Sequence, residues 1–318
     1  MIDRRQCLGL VFGAGAALGF GSRFAFANGE LQLLSRPIPS SGETIPVVGL
    51  GSSATFRSVA QSEDTAALRD VLKTMVERGA TVFDTAPSYG ASEEVAGRLA
   101  RELGITQKIF WATKVNVAPR GSGSADPAAA RAHIGESFRR FGTEKIDLIQ
   151  VHNLGDVPVQ LAILKELKAA KRIHYIGVTT TNKEQYGELV RVMRAEPLDF
   201  IGVDYAVDNR DVEERILPLA IERRIAVMVY APFGRTRLFQ RVGDRPLPAW
   251  AADFDAASWA QFLIKYVLGH PAVTVVTPAT SQARHMIDNI GGGIGRLPDA
   301  ATRERMARLV DALPAVSR

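Results

Sequence analysis

The chain of 318 residues contains a single cysteine, Cys7, which excludes an intrachain disulfide and any cysteine-built zinc site. Aromatic residues are sparse at 7%, and no basic stripe is interleaved with them, so a nucleic-acid groove is not expected. Charge of one sign is also lacking. The 39 Lys and Arg are nearly balanced by 34 Asp and Glu, and they alternate with acids in runs such as Glu213, Glu214, Arg215 and Glu222, Arg223, Arg224. Such runs are solvated helix surface. No apolar run is long enough to span a bilayer, so no stable membrane anchor is expected. No G-x-G-x-x-G follows a strand candidate, and Gly291-Gly292-Gly293 has no Lys-Ser/Thr behind it, which removes a Rossmann fingerprint and a P-loop.

What is present begins with an address. Residues 1–27 read as a cleavable signal peptide, with Arg4-Arg5, an apolar stretch over 8–20, and Ala25-Phe26-Ala27 as a small-x-small cleavage site. Asp3-Arg4-Arg5-Gln6-Cys7-Leu8 resembles the twin-arginine export motif. Gly13-Ala14-Gly15 and Gly19 lie inside this segment, without the strand and helix that a dinucleotide fingerprint needs. The expectation is a periplasmic protein cleaved near Ala27, with the export machinery as a partner. The remaining residues, 28–318, would form one domain without cysteine, suited to an oxidising compartment.

Past residue 28, short β-branched runs alternate with amphipathic helical stretches. Strands are predicted over 47–51, 81–85, 109–114, 146–152, 175–179, 200–204, 226–231 and 274–278. Helices are predicted over 66–78, 93–103, 128–141, 159–171, 183–194, 212–223 and 256–268, with an eighth starting at 284 and a C-terminal one over 300–313. Strands apolar on both faces belong to a parallel sheet covered on both sides. Eight βα repeats close into a (β/α)₈ TIM barrel, whereas an open doubly wound sheet would want a glycine fingerprint after its first strand. The connection over 235–252 is long enough to be a lid or binding loop, or a plain insertion.

A barrel carries its chemistry at the C-terminal ends of its strands. There the sequence puts Asp84, then Tyr89 in the following loop, Lys114 and His152. Each alone has a structural reading as a cap, packed aromatic or surface residue. Together they suit carbonyl reduction, which needs a proton for the oxygen that becomes an alkoxide. Tyrosine is a weak acid at neutral pH, and an ammonium beside it stabilises the phenolate. Lys114 would supply that cation, Asp84 would hold it, and His152 would hydrogen-bond the substrate oxygen. His152 and His174 lack a third ligand at useful spacing, so no metal is expected.

The segments Val48-Gly49-Leu50-Gly51, Phe83-Asp84-Thr85-Ala86-Pro87-Ser88-Tyr89-Gly90-Ala91-Ser92-Glu93, Ala112-Thr113-Lys114-Val115 and Ile146-Asp147-Leu148-Ile149-Gln150-Val151-His152 resemble the aldo-keto reductases. The resemblance runs from about residue 45 to 290. It implies a barrel that transfers hydride between a nicotinamide nucleotide and an aldehyde or ketone, with Asp84, Tyr89, Lys114 and His152 as the catalytic tetrad. Thr179-Thr180 stand where the family has Ser-Asn, so a hydroxyl is kept and the amide is not, unless Asn182 substitutes. Gly202 stands where it has a carboxamide-binding Gln. Tyr230-Ala231-Pro232-Phe233-Gly234 is similar to the family's Tyr-Ser-Pro-Leu-Gly, which implies that Tyr230 stacks on the nicotinamide. Arg235 and Arg237 would reach the pyrophosphate, and Thr280, Arg284 and Asn289 the adenosine end. Ala279 removes a family lysine that Arg284 would replace. The resemblance favours NADP(H) over NAD(H) and a monomer. Pocket walls are expected from Phe56, Trp111, Asn116, Asn153 and Phe233. Two other readings are a weakly catalytic nucleotide-binding barrel acting as a redox sensor or subunit, and an isomerase or aldolase using Lys114 as a Schiff-base amine.

Overall fold

The computed structural model of the chain describes residues 32–62, 64–118 and 124–314, so the export segment expected at 1–27 lies outside them. Eight parallel strands form one sheet: β1 (Leu50–Gly51), β2 (Val82–Asp84), β3 (Phe110–Val115), β4 (Ile146–Val151), β5 (Ile173–Thr180), β6 (Phe200–Asp204), β7 (Ala226–Tyr230) and β8 (Val273–Val276). Each pairs with the next in the chain. Bridges Val48–Val276 and Gly51–Ala279 then join the first strand to the last. The expected TIM barrel is the fold.

Alternate residues turn inward, as the pleat requires. Val82, Phe110, Leu148, Tyr175, Phe200, Ala226, Met228 and Val275 fill the interior, and Ile38 and Ile45 join them from below. These two belong to an antiparallel hairpin, Ser35–Pro37 with Thr44–Pro46, which covers the N-terminal end of the barrel. The opposite face of each strand packs under the helices α1 (Ala66–Glu77), α2 (Ser92–Glu102), α3 (Pro127–Phe141), α4 (Val157–Ala169), α5 (Tyr186–Ala195), α6 (Val212–Glu222), α7 (Trp259–Leu268) and α8 (Ala283–Gly291).

Local chemistry sets the helix ends. Asp126 accepts a bond from the Ala128 amide and Pro127 starts α3, while Gly142 ends it in the left-handed region at φ 67°. Ser258 accepts from the Gln261 amide, so α7 starts at Trp259, three residues later than the apolar pattern predicts. The long connection over 235–252 is not bare loop. It holds a short helix, Arg237–Val242, whose Leu238 and Val242 are buried, and the start of a 3₁₀ helix of six residues, Ala249–Phe254. A C-terminal helix, α9 (Ala300–Asp311), lies outside the ring. Its Arg303 bonds Glu213 at 2.6 Å and the hydroxyl of Tyr205, and Arg210 bonds Asp311 at 2.9 Å. Among the described residues no helix is long and apolar enough to cross a membrane.

Candidate active site

Asp84 ends β2 and Lys114 lies near the end of β3, both on the inward side of the pleat. Lys114 Nζ donates three hydrogen bonds, to Asp84 Oδ1 at 2.8 Å, Asp84 Oδ2 at 2.9 Å and the Thr85 carbonyl at 2.7 Å. Their side chains are 1% and 4% exposed, so the pair is out of water. Burial works against the charge of Lys114, but Asp84 and Tyr89 outweigh it and the ammonium is held protonated. Burial likewise pushes Asp84 up, while Lys114 and Tyr230 pull it back. With an Nζ donor on each oxygen, the geometry is that of an ion pair.

Tyr89 follows a turn in which its amide bonds the Ala86 carbonyl at 2.9 Å. Its ring centroid lies 5.2 Å from Lys114 Nζ and 5.8 Å from the His152 ring, edge to face. Burial and the Lys114 charge hold His152 down at about 3, so its imidazole is neutral at any physiological pH. Asn116 steadies this corner by donating to the His152 carbonyl at 2.8 Å. Asn153, at φ 54°, donates its amide to Thr179 Oγ1 at 3.3 Å.

A cavity of about 460 Å³ joins Asp84, Tyr89 and His152 to Asn153, Thr179, Tyr230, Phe233 and Arg235, and to residues 277–279. Of the other expected cofactor residues, Gly234 makes the turn after Phe233 at φ 57°. Thr180 turns to Gln185 at 2.5 Å, and Arg237 is paired with Asp208 at 2.8 Å and 2.9 Å. Thr280 accepts from the Gln282 amide at 3.1 Å, and Arg284 donates to Gln282 Oε1 at 2.8 Å. Asn289 is buried, with its Nδ2 lacking a partner among the described residues.

Phe56, Trp111 and Asn116 do not line the cleft; the Asn116 amide is spent on the His152 carbonyl and the Ala118 N–H. Trp111 is one position out of step with the inward series 110, 112, 114, so it faces the helices, 4.5 Å from the Phe141 ring and 5.6 Å from Phe83. Phe56 packs on the same Phe83 at 5.3 Å. Two residues without a predicted role emerge. Glu93, fully buried on α2, accepts from Thr113 Oγ1 at 2.6 Å and Ser137 at 2.9 Å and pairs with Arg140 at 2.9 Å, bracing β3 one residue before Lys114. Gln150, also fully buried, donates to the Tyr230 hydroxyl at 3.1 Å. The inward parity it shares with His152 was the available signal.

The model of the aldo/keto reductase family matches residues 47–304. The chain belongs to that family. Aldo-keto reductase YhdN of Bacillus subtilis is 29% identical over 206 residues, 62% of this chain and 61% of that protein, so the chain matches less than two thirds of that relative's length. Aldo-keto reductase str7 of Strobilurus tenacellus is 24% identical over 286 residues, 80% of this chain and 83% of that one. Among solved structures, an aldo-keto reductase of Klebsiella pneumoniae in complex with NADPH superposes at a TM-score of 0.71 with 21% identity, covering 91% of this chain and 97% of that one. An aldo/keto reductase from the same organism, in complex with NADP and acetate, superposes at 0.69 with 24% identity, covering 87% and 94%.

Proposed function

We propose that this aldo/keto reductase reduces an aldehyde or ketone to an alcohol, with NADP(H) preferred over NAD(H). The observation that carries the reading is the convergence of Tyr89, His152 and the buried Lys114–Asp84 pair on one wall of a cleft. The rest of that cleft suits a nicotinamide nucleotide. It offers the Tyr230 ring as a flat wall, the Thr179 hydroxyl, and the Arg235 guanidinium for an anionic group. Beyond the residues that line the cleft, Asn289 on α8 has a buried Nδ2 without a partner among the described residues, a donor that a polar ligand atom would satisfy. The NADP and NADPH bound to the Klebsiella enzymes support the preference.

A reduced nicotinamide held there supplies the hydride. The protein supplies the proton and the orientation. Tyr89 gives its hydroxyl proton to the substrate oxygen, and Lys114 stabilises the phenolate that is left. Neutral His152 donates a ring N–H to the same oxygen without adding a charge. Asp84 keeps the ammonium oriented. A Schiff-base role would need a neutral amine at Lys114, whereas its bonds to two carboxylate oxygens and a carbonyl keep it charged in spite of burial.

Fluorescence titration with NADPH and NADH, followed by aldehyde-dependent oxidation of the nucleotide, tests this reading. Tyr89→Phe is expected to lower turnover by about a thousandfold or more with nucleotide affinity nearly unchanged. Retained turnover in that variant rejects Tyr89 as the proton donor. We further propose, from Arg4-Arg5 and the apolar segment behind them, that residues 1–27 direct twin-arginine export to the periplasm. Fractionation of a strain carrying Arg4→Lys and Arg5→Lys is expected to leave uncleaved precursor in the cytoplasm. Normal periplasmic yield would refute the assignment.

A further inference from the structure

On β6 the inward position facing the centre of the barrel is Gly202. A Cβ built there would fall 2.5 Å from Tyr230 Cε2 and 2.7 Å from Cζ, with the phenol oxygen closer still. The Tyr230 ring from the neighbouring strand therefore occupies the space a β6 side chain would need. Its hydroxyl oxygen accepts from Gln150 Nε2 at 3.1 Å, which leaves the phenolic proton to point at Asp84 Oδ1, 3.5 Å away. Its ring centroid lies 5.0 Å from Lys114 Nζ. Lys114 has used its three donors, so the phenol is the further donor that Asp84 Oδ1 faces. A buried carboxylate is held charged by the number of donors aimed at it.

We propose that Tyr230 is a positioning residue for the Asp84–Lys114 pair, its phenol seated in the space left by Gly202 and bridging Asp84 to Gln150. This deepens the reductase reading and rests on it for the catalytic consequence. The charged or titratable groups around Asp84 are Lys114 on β3, Tyr89 in the loop after β2, Tyr230 on β7, His152 after β4, and Glu93 on α2 behind β3. The bridge to Asp84 is neutral, so it supports the carboxylate without competing with Lys114 for its charge.

Tyr230→Phe keeps the ring and removes the bridge. In protein labelled with ¹³C at the aspartate carboxyls, with Asp84 assigned through Asp84→Asn, the Asp84 titration is expected to move up by about half a pH unit or more. Turnover should fall about fivefold, with the carbonyl KM changed less than about twofold. A second pair of variants tests the seat. Gly202→Ala is expected to lower the unfolding midpoint in the Tyr230 protein and to leave it unchanged in Tyr230→Ala. An unmoved Asp84 titration in Tyr230→Phe overturns the positioning role. Equal destabilisation by Gly202→Ala with and without the phenol overturns the seat. Neither readout uses turnover, so a wild-type protein that reduces no carbonyl would reject the reductase reading separately.

Discussion

Residue by residue, the site separates charge from proton donation. Lys114 carries the positive charge and spends its three N–H groups on Asp84 and Thr85, so it acts on Tyr89 through its field across 5.2 Å. His152 is kept neutral by burial first and by Lys114 second, at about 3 against an ordinary 6.5. As pH falls through 6.5 the unfolded chain takes up a proton on this imidazole and the folded chain does not. Stability is therefore intact above that value and is lost as the pH drops toward 3. Turnover is expected to show no histidine inflection between about pH 5 and 8. NMR of the imidazole resonances checks this; an inflection near 6.5 that vanishes in His152→Gln would contradict it. At this scale the sequence was legible where chemistry and strand position coincide, as for Asp84, Lys114 and His152. It misled at Trp111, where residue type suggested a pocket wall while the two-residue period of β3 turns the indole toward the helices.

Among the elements, the contact between α2 and α3 positions β3. Gly97 lets the helices meet, because a Cβ there would lie 2.7 Å from Phe141 Cα and closer to the Arg140 carbonyl. That approach brings Arg140 and Ser137 to Glu93, and Glu93 to Thr113 beside Lys114. Gly97→Ala is expected to cost about 2 kcal/mol, because both neighbours are backbone and cannot step aside alone. Urea unfolding measures it, and a change below about 0.5 kcal/mol would show that the helices part freely. Period-two and helical patterns read strands and helices well, since β3 and β4 lie within a residue or so of their expected ranges. The hairpin at Ser35–Pro37 and Thr44–Pro46 escaped because three residues carry too little alternation, and proline ends each strand. The helix Arg237–Val242 escaped because six residues make too short a period to stand out.

For the whole molecule, barrel closure depends on pairings distant in sequence, such as Val48 with Val276. Alternation of strand and helix predicts that closure through the handedness of the crossovers, not through any local signal. What it does not predict is how α9 is fastened. Arg303, 12% exposed, joins Glu213, the Tyr205 hydroxyl and the Tyr266 carbonyl, tying the last helix to α6 and α7. Arg303→Met leaves partly buried Glu213 without its cation, with only the Tyr205 and Tyr266 hydroxyls still donating to it, and a loss of about 2 kcal/mol is expected, discounted because Glu213 is 31% exposed. The same variant should bind NADPH as the parent does, because α9 lies on the outside of the ring. Weakened binding in the folded variant would show that the fastening reaches the cleft. The tenancy of the β6 space by Tyr230 also couples mutational choices. A lineage, or a designer, adding a side chain at Gly202 must at the same time turn or shrink the Tyr230 ring, whose atoms stand where the new Cβ would be. Changes at the two positions are therefore linked, and a library that varies one of them alone leaves out the pockets that need both.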